Sequence, residues 1–221
     1  MIDFGRRVVF IHIPKTGGES LASLFDDGGP AMAKHATARQ LRAFLGERDW
    51  QDFYKFSVVR NPFDQVASMY SHLRKPLYQR ENILRKYGTD VLNPVRACRV
   101  ACSASFADYC EQVLAQRQPQ EEACRAEWPV DHFAPYSHWL CDEDGRLMVN
   151  DLLHFERLGE ELPRITWPAR VDVQALPHRN RSERAAQPDL YDARARAIVE
   201  RHCASDLARF SYSFENRARQ G

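Results

Sequence analysis

Six residues near the start of the chain, Val8-Val9-Phe10-Ile11-His12-Ile13, form a β-branched, apolar run that Pro14 stops and Gly17-Gly18 follow. Such a run reads as a buried strand entering a tight loop. Beyond the glycines, Leu21, Leu24 and Phe25 recur at helical spacing from Ser20, until Gly28-Gly29-Pro30 ends the pattern. Strand, glycine loop and helix in immediate succession open an α/β architecture.

The same junction is suited to an anion. The first N–H groups of a helix have no intrahelical acceptor, glycines let the backbone close around a ligand, and Lys15 adds a point charge. Pro14-Lys15-Thr16-Gly17-Gly18-Glu19-Ser20 is a phosphate cradle in outline. It is not a Walker A loop, in which the lysine follows the glycines; here the lysine precedes them. Taken alone, the segment also fits an ordinary Gly-Gly turn beside a solvated lysine.

A second unit of the same kind follows. Thr37-Ala38-Arg39-Gln40 has the form of a capping box, with Leu41, Phe44 and Leu45 on one face of the helix it starts. Phe53 to Val59 reads as a strand. Asn61-Pro62 then caps and opens a helix whose apolar stripe is Phe63, Val66, Ala67, Tyr70 and Leu73, with Ser68 off the stripe. Arg60, at the strand end, can fork two donors onto a phosphate, and Ser68 can add a hydroxyl. Two anion sites suit a ligand with two phosphate-bearing ends.

Further along, residues 74–135 are rich in Arg, Gln, Glu and Cys and read as a helical insertion with a helix from Phe106 to Gln116. Candidate strands are Leu147-Met148-Val149 and Leu152 to Phe155. A long amphipathic helix is expected over 188–210. Strands alternating with helices imply an α/β fold with a mainly parallel sheet, carried by one domain over 1–221.

Composition narrows the function. Lys+Arg 31 against Asp+Glu 30 leaves a net charge of +1, so no chain-wide attraction to nucleic acid is expected and any anion site is local. No stretch approaches the apolar length of a membrane span, and the expected location is cytoplasmic. The six cysteines contain no Cys-x-x-Cys pair, which disfavours a zinc site or a disulfide framework. No pattern in the sequence specifies an oligomeric state.

Ile11 to Gly18 followed by Ser20, and Val59-Arg60-Asn61-Pro62 followed by Asp64, Ser68 and Tyr70, resemble the two donor-binding motifs of sulfotransferases that use 3'-phosphoadenosine-5'-phosphosulfate (PAPS). The resemblance is to the branch containing many carbohydrate sulfotransferases. It extends through Phe155-Glu156-Arg157-Leu158, Leu176 to Ser182, and Asp206 to Tyr212, and is weakest over 74–135. It implies a P-loop-like three-layer α/β fold, release of PAP, no metal, and a saccharide or glycoconjugate as acceptor.

Carried over residue by residue, the resemblance assigns Lys15 to the bridging oxygen and Thr16, Gly17, Gly18 and Ser20 to the 5' group. Arg60 and Ser68 are assigned to the 3'-phosphate, and Asn180 and Ser182 to a late loop over the nucleotide. Glu19 stands where family members often carry Thr or Ser, and its carboxylate is expected to turn outward. The acceptor hydroxyl needs a general base with a pKa near working pH. Lys34-His35-Ala36-Thr37 resembles the family's Lys-His-x-Thr setting, which makes His35 the base; His12 is expected to belong to the strand and His72 to a helix surface. Two other readings stand beside this one: a nucleotide-binding module without chemistry, motivated by Glu19, and a small-molecule kinase, which the glycine order disfavours.

Overall fold

A computed structural model describes residues 1–26, 28–29, 34–75, 92–116, 132–173 and 190–216. In chain order the elements are β1 (Ile2–Asp3), β2 (Val8–Ile11), α1 (Gly18–Ala22), α2 (Ala38–Leu45), α3 (Glu47–Asp52), β3 (Tyr54–Val59), α4 (Pro62–Leu73), α5 (Leu92–Ser103), α6 (Phe106–Cys110), α7 (Tyr136–Leu140), β4 (Asp151–His154), α8 (Leu158–Glu161), α9 (Ala193–His202) and α10 (Ala204–Arg209). They fall into two compact units, Met1–Arg60 with Ala134–Arg184, and Asn61–Phe133 with Ala185–Gly221. The chain is mixed α/β, as its alternating pattern implies.

The first unit holds the sheet, in the order β1-β2-β3-β4. β2 pairs with β3 and β3 with β4 in parallel, with Ile11 opposite Ser57 and Val59 opposite His154; the two-residue β1 is antiparallel. β2 and β3 are central, buried on both faces, which is why they read as continuous apolar runs rather than alternating ones. Phe10, Leu21, Phe25, Phe56, Val58, Leu153 and Leu162 form the core of this unit. Ser57 is buried within β3, where its hydroxyl donates to the Ile11 carbonyl at 2.7 Å. Parallel strands place β2 and β3 with their C-terminal ends on the same side, and each ends in one of the two motifs.

Local signals explain most boundaries in this unit. At Thr37 both capping-box bonds form, Gln40 N to the Thr37 hydroxyl and Thr37 N to the Gln40 side chain. The helix after the glycines is shorter than its apolar spacing implies: α1 ends at Ala22, and residues 23–25 continue as tight turns with Leu24 N bonded to Leu21 O and Phe25 N to Ala22 O. Leu147-Met148-Val149 is not a strand; Leu147 makes a single bridge to Cys141, and the fourth strand starts at Asp151.

The second unit is helical among its described residues. Asn61 caps α4 by accepting from Phe63 N at 3.1 Å, and Pro62 occupies the first turn, where its missing N–H leaves no acceptor unpaired. The Asn61 amide also donates to Ser213 O and Asn216 Oδ1, tying the C-terminal segment to the start of that helix. Phe63, Val66, Tyr70, Phe106, Tyr109, Ile198 and Val199 lie in its core. The helix expected over Phe106 to Gln116 is α-helical to Cys110 and then widens to π-helical turns over Glu111–Ala115. Of the run expected over 188–210, the described residues form two helices from Ala193 onward, interrupted at Cys203, which closes α9 and opens α10. Cys98, Cys102, Cys110, Cys141 and Cys203 are free thiols. Among the described residues no helix is long and apolar enough to cross a membrane, and no three His, Cys, Asp or Glu side chains cluster as metal ligands.

Candidate active site

The loop after β2 has an unusual backbone. Lys15 takes φ +67° and Gly17 φ +86°, so two of three consecutive residues are left-handed, one of them without glycine's freedom. Thr16, fully buried between them, holds the turn: its hydroxyl donates to the Ile13 carbonyl at 2.9 Å. The Thr16 side chain thus shapes the loop from inside. Lys15 and Ser20 are half-buried, and the Ser20 N–H bonds back to Gly17 O at 3.1 Å.

Each glycine of the pair is required by a neighbouring ring. A Cβ on Gly17 would lie 2.8 Å from the Phe155 ring, and a Cβ on Gly18 would lie 2.0 Å from the His12 ring. The glycines therefore let two aromatic side chains close on the loop. Phe155, just past the end of β4, also carries Arg60: the guanidinium lies over its ring at 4.5 Å. Arg60 is 4% exposed, donates from Nη1 to the Lys15 carbonyl at 3.1 Å, and has its own carbonyl held by the Tyr136 hydroxyl at 2.7 Å. A buried cation at the end of β3 is thus bonded directly to the loop at the end of β2.

Two imidazoles also stand against this segment. His12 follows β2, is 3% exposed, stacks on Phe10 with centroids 5.3 Å apart, and lies 4.5 Å from the His35 ring. Nδ1 of His35 is 3.0 Å from the His12 carbonyl. A carbonyl only accepts, so Nδ1 of the neutral ring carries the proton and Nε2 the lone pair. Burial lowers the His35 pKa below the usual histidine value; the bond to the His12 carbonyl and the Glu19 carboxylate oppose this, while Lys34 and the N-terminal ammonium add to it. Burial pushes the His12 pKa well below the usual value, and the charge a protonated His35 would carry, together with Lys34, the N-terminus and Lys15, adds to this. Both rings are neutral at pH 7, which leaves His35 able to take a proton.

Glu19 is exposed and turns away from the buried side of the loop, pairing with Lys34 Nζ at 2.6 Å. The Lys34 bond, opposed by partial burial, holds the Glu19 pKa below the usual carboxylate value. The carboxylate at the position of the family's Thr or Ser is thus matched by a cation from the segment that bears His35.

Lys15, Thr16, Gly17, Gly18, Ser20, Arg60 and His35 are therefore brought together in the first unit. Ser68 is half-buried on α4 in the second unit, off the buried stripe formed by Phe63, Val66, Met69, Tyr70 and Leu73. Asn180 and Ser182 lie outside the described residues. Sequence spacing offers no sign that Phe155 supports both Gly17 and Arg60, nor that Tyr136 anchors Arg60; both contacts span long chain separations.

Comparison with curated proteins and with solved structures gave no match. A family model, Sulfotransfer_2, described as sulfotransferase family, matches residues 1–212. The match contains the loop, both imidazoles, Arg60 and Phe155, and this chain belongs to the sulfotransferase family.

Proposed function

We propose that this sulfotransferase draws its sulfuryl group from PAPS and places it on a hydroxyl of a saccharide or glycoconjugate, releasing PAP. The observation that supports this reading most is the bond between Arg60 and the Lys15 carbonyl, which joins two cation-bearing motifs at the ends of adjacent parallel strands. Two cationic side chains support such a donor: Lys15 on the left-handed loop, and the buried Arg60 guanidinium bonded to that loop.

When bound, PAPS supplies the sulfuryl group and a phosphate leaving group. Lys15 neutralises charge that gathers on the departing phosphate, and Arg60 holds the 3'-phosphate with its planar fork. His35 Nε2 accepts the proton of the acceptor hydroxyl as its oxygen attacks sulfur, while the Nδ1 bond to His12 O keeps the ring in the required tautomer. As in phosphoryl transfer, catalysis by these groups is mainly positioning and electrostatic stabilisation. The Glu19–Lys34 pair supports this reading over a module without chemistry, because the carboxylate is matched by a cation.

Incubation with sulfur-labelled PAPS and a panel of saccharides tests the proposal. Labelled saccharide and PAP should form in equal amounts, and His35→Ala should retain PAP binding and lose turnover. Unchanged turnover in that variant overturns the base assignment; PAP binding with no product from any hydroxyl acceptor overturns the transferase reading.

A further inference from the structure

We infer that His12 is a positioning residue for His35, its carbonyl fixing the proton on the His35 ring and its own buried ring setting that ring's tilt against the donor loop. The inference rests on His35 being the base. Three contacts carry it. The His12 carbonyl is the acceptor for His35 Nδ1 at 3.0 Å. The two rings lie 4.5 Å apart at 46°, and the His12 ring also stacks on Phe10 with centroids 5.3 Å apart. The His12 ring edge, Cδ2 and Nε2, also fills the space that any Cβ on Gly18 would need. His12 thus stands as a wedge between the base and the first residue of α1.

The wedge is a buried polar ring. Its Nδ1 is buried without a hydrogen-bond partner among the described residues. The charged groups facing the pair are Lys15 from the loop, Glu19 from α1, Lys34 from the segment before α2, and the ammonium of Met1 beside β2. Three of these four are positive and oppose protonation of either ring. Removing the His12 ring opens the flank of His35 to water, lessening the burial that keeps its pKa low.

The test follows the His35 imidazole by NMR against pH, without substrate, in the wild type, His12→Ala and His12→Phe, together with kcat against pH and PAP affinity. In His12→Ala the His35 titration should move up toward the usual 6.5, the acid limb of kcat should move with it, and kcat should fall by about 10- to 100-fold, the loss typical of a misplaced group. PAP affinity should hold. His12→Phe, which restores a flat neutral ring, should recover both the titration and most of kcat. If His12→Ala does not fold, His12→Asn removes the ring while keeping a polar group and serves in its place. An unmoved His35 titration overturns the positioning role. A titration that moves while kcat and its acid limb stay put overturns the base assignment instead.

Discussion

Replacing Gly17 by alanine tests the packing that joins the two motifs. At φ +86° an L-residue is destabilised by about 1–2 kcal/mol relative to glycine. The new Cβ would also stand 2.8 and 2.9 Å from two atoms of the Phe155 ring, and displacing a packed ring adds about 1–3 kcal/mol. Gly17→Ala should therefore destabilise the first unit by about 2–5 kcal/mol, lowering its melting temperature by on the order of 10 °C. Trp50, Trp139 and Trp167 all belong to that unit, so tryptophan fluorescence reports mainly on it. A double-mutant cycle with Phe155→Ala separates the two parts: without the ring only the backbone part remains, and the double variant should be less destabilised than the sum by about 1–3 kcal/mol. Since the same ring carries Arg60, both single variants should weaken PAP binding by about 2- to 30-fold, the range of a cation–π contact. Strict additivity in the cycle would refute the reasoning.

Two further outcomes follow from the charges at the site. His12 and His35 have lowered pKa values in the folded chain, so below the unfolded value of about 6.5 the unfolded state binds more protons. Stability is therefore full above that pH and falls as pH drops through it; urea unfolding between about pH 7.5 and 5.5 should show the loss, and a flat or rising profile toward acid contradicts the burial of both rings. Glu19→Gln should leave PAP affinity nearly unchanged by calorimetry, because Lys34 already neutralises the carboxylate, and an exposed pair of this kind contributes only about 0–1 kcal/mol to stability. A tenfold gain in affinity, about 1.4 kcal/mol, would instead place that carboxylate against the donor.

Much of this arrangement is legible in the sequence where the signals are local. The strand ahead of Pro14, the capping box at Thr37 and the Asn61-Pro62 helix start are each set by a few neighbouring residues; the last two form as read, and the strand forms over Val8–Ile11, leaving His12 and Ile13 just beyond it. The break at Cys203 is not legible, since Ala195, Ile198, Val199, Cys203 and Leu207 keep helical spacing across it and neither glycine nor proline marks it. The two-residue β1 is too short to leave a periodic pattern. At the site, Lys15 and the glycines announce an anion cradle, but the reason for each glycine lies in rings at positions 12 and 155. His12, which reads as a strand residue, gains its relation to His35 only when the chain folds back across 23 residues.

The most direct test of the central claim is calorimetric titration of the protein with PAP, set against ATP with Mg2+. The account predicts selective, saturable PAP binding that Lys15→Ala and Arg60→Ala each weaken and His35→Ala leaves intact. A preference for ATP, or no binding of either nucleotide, would contradict it.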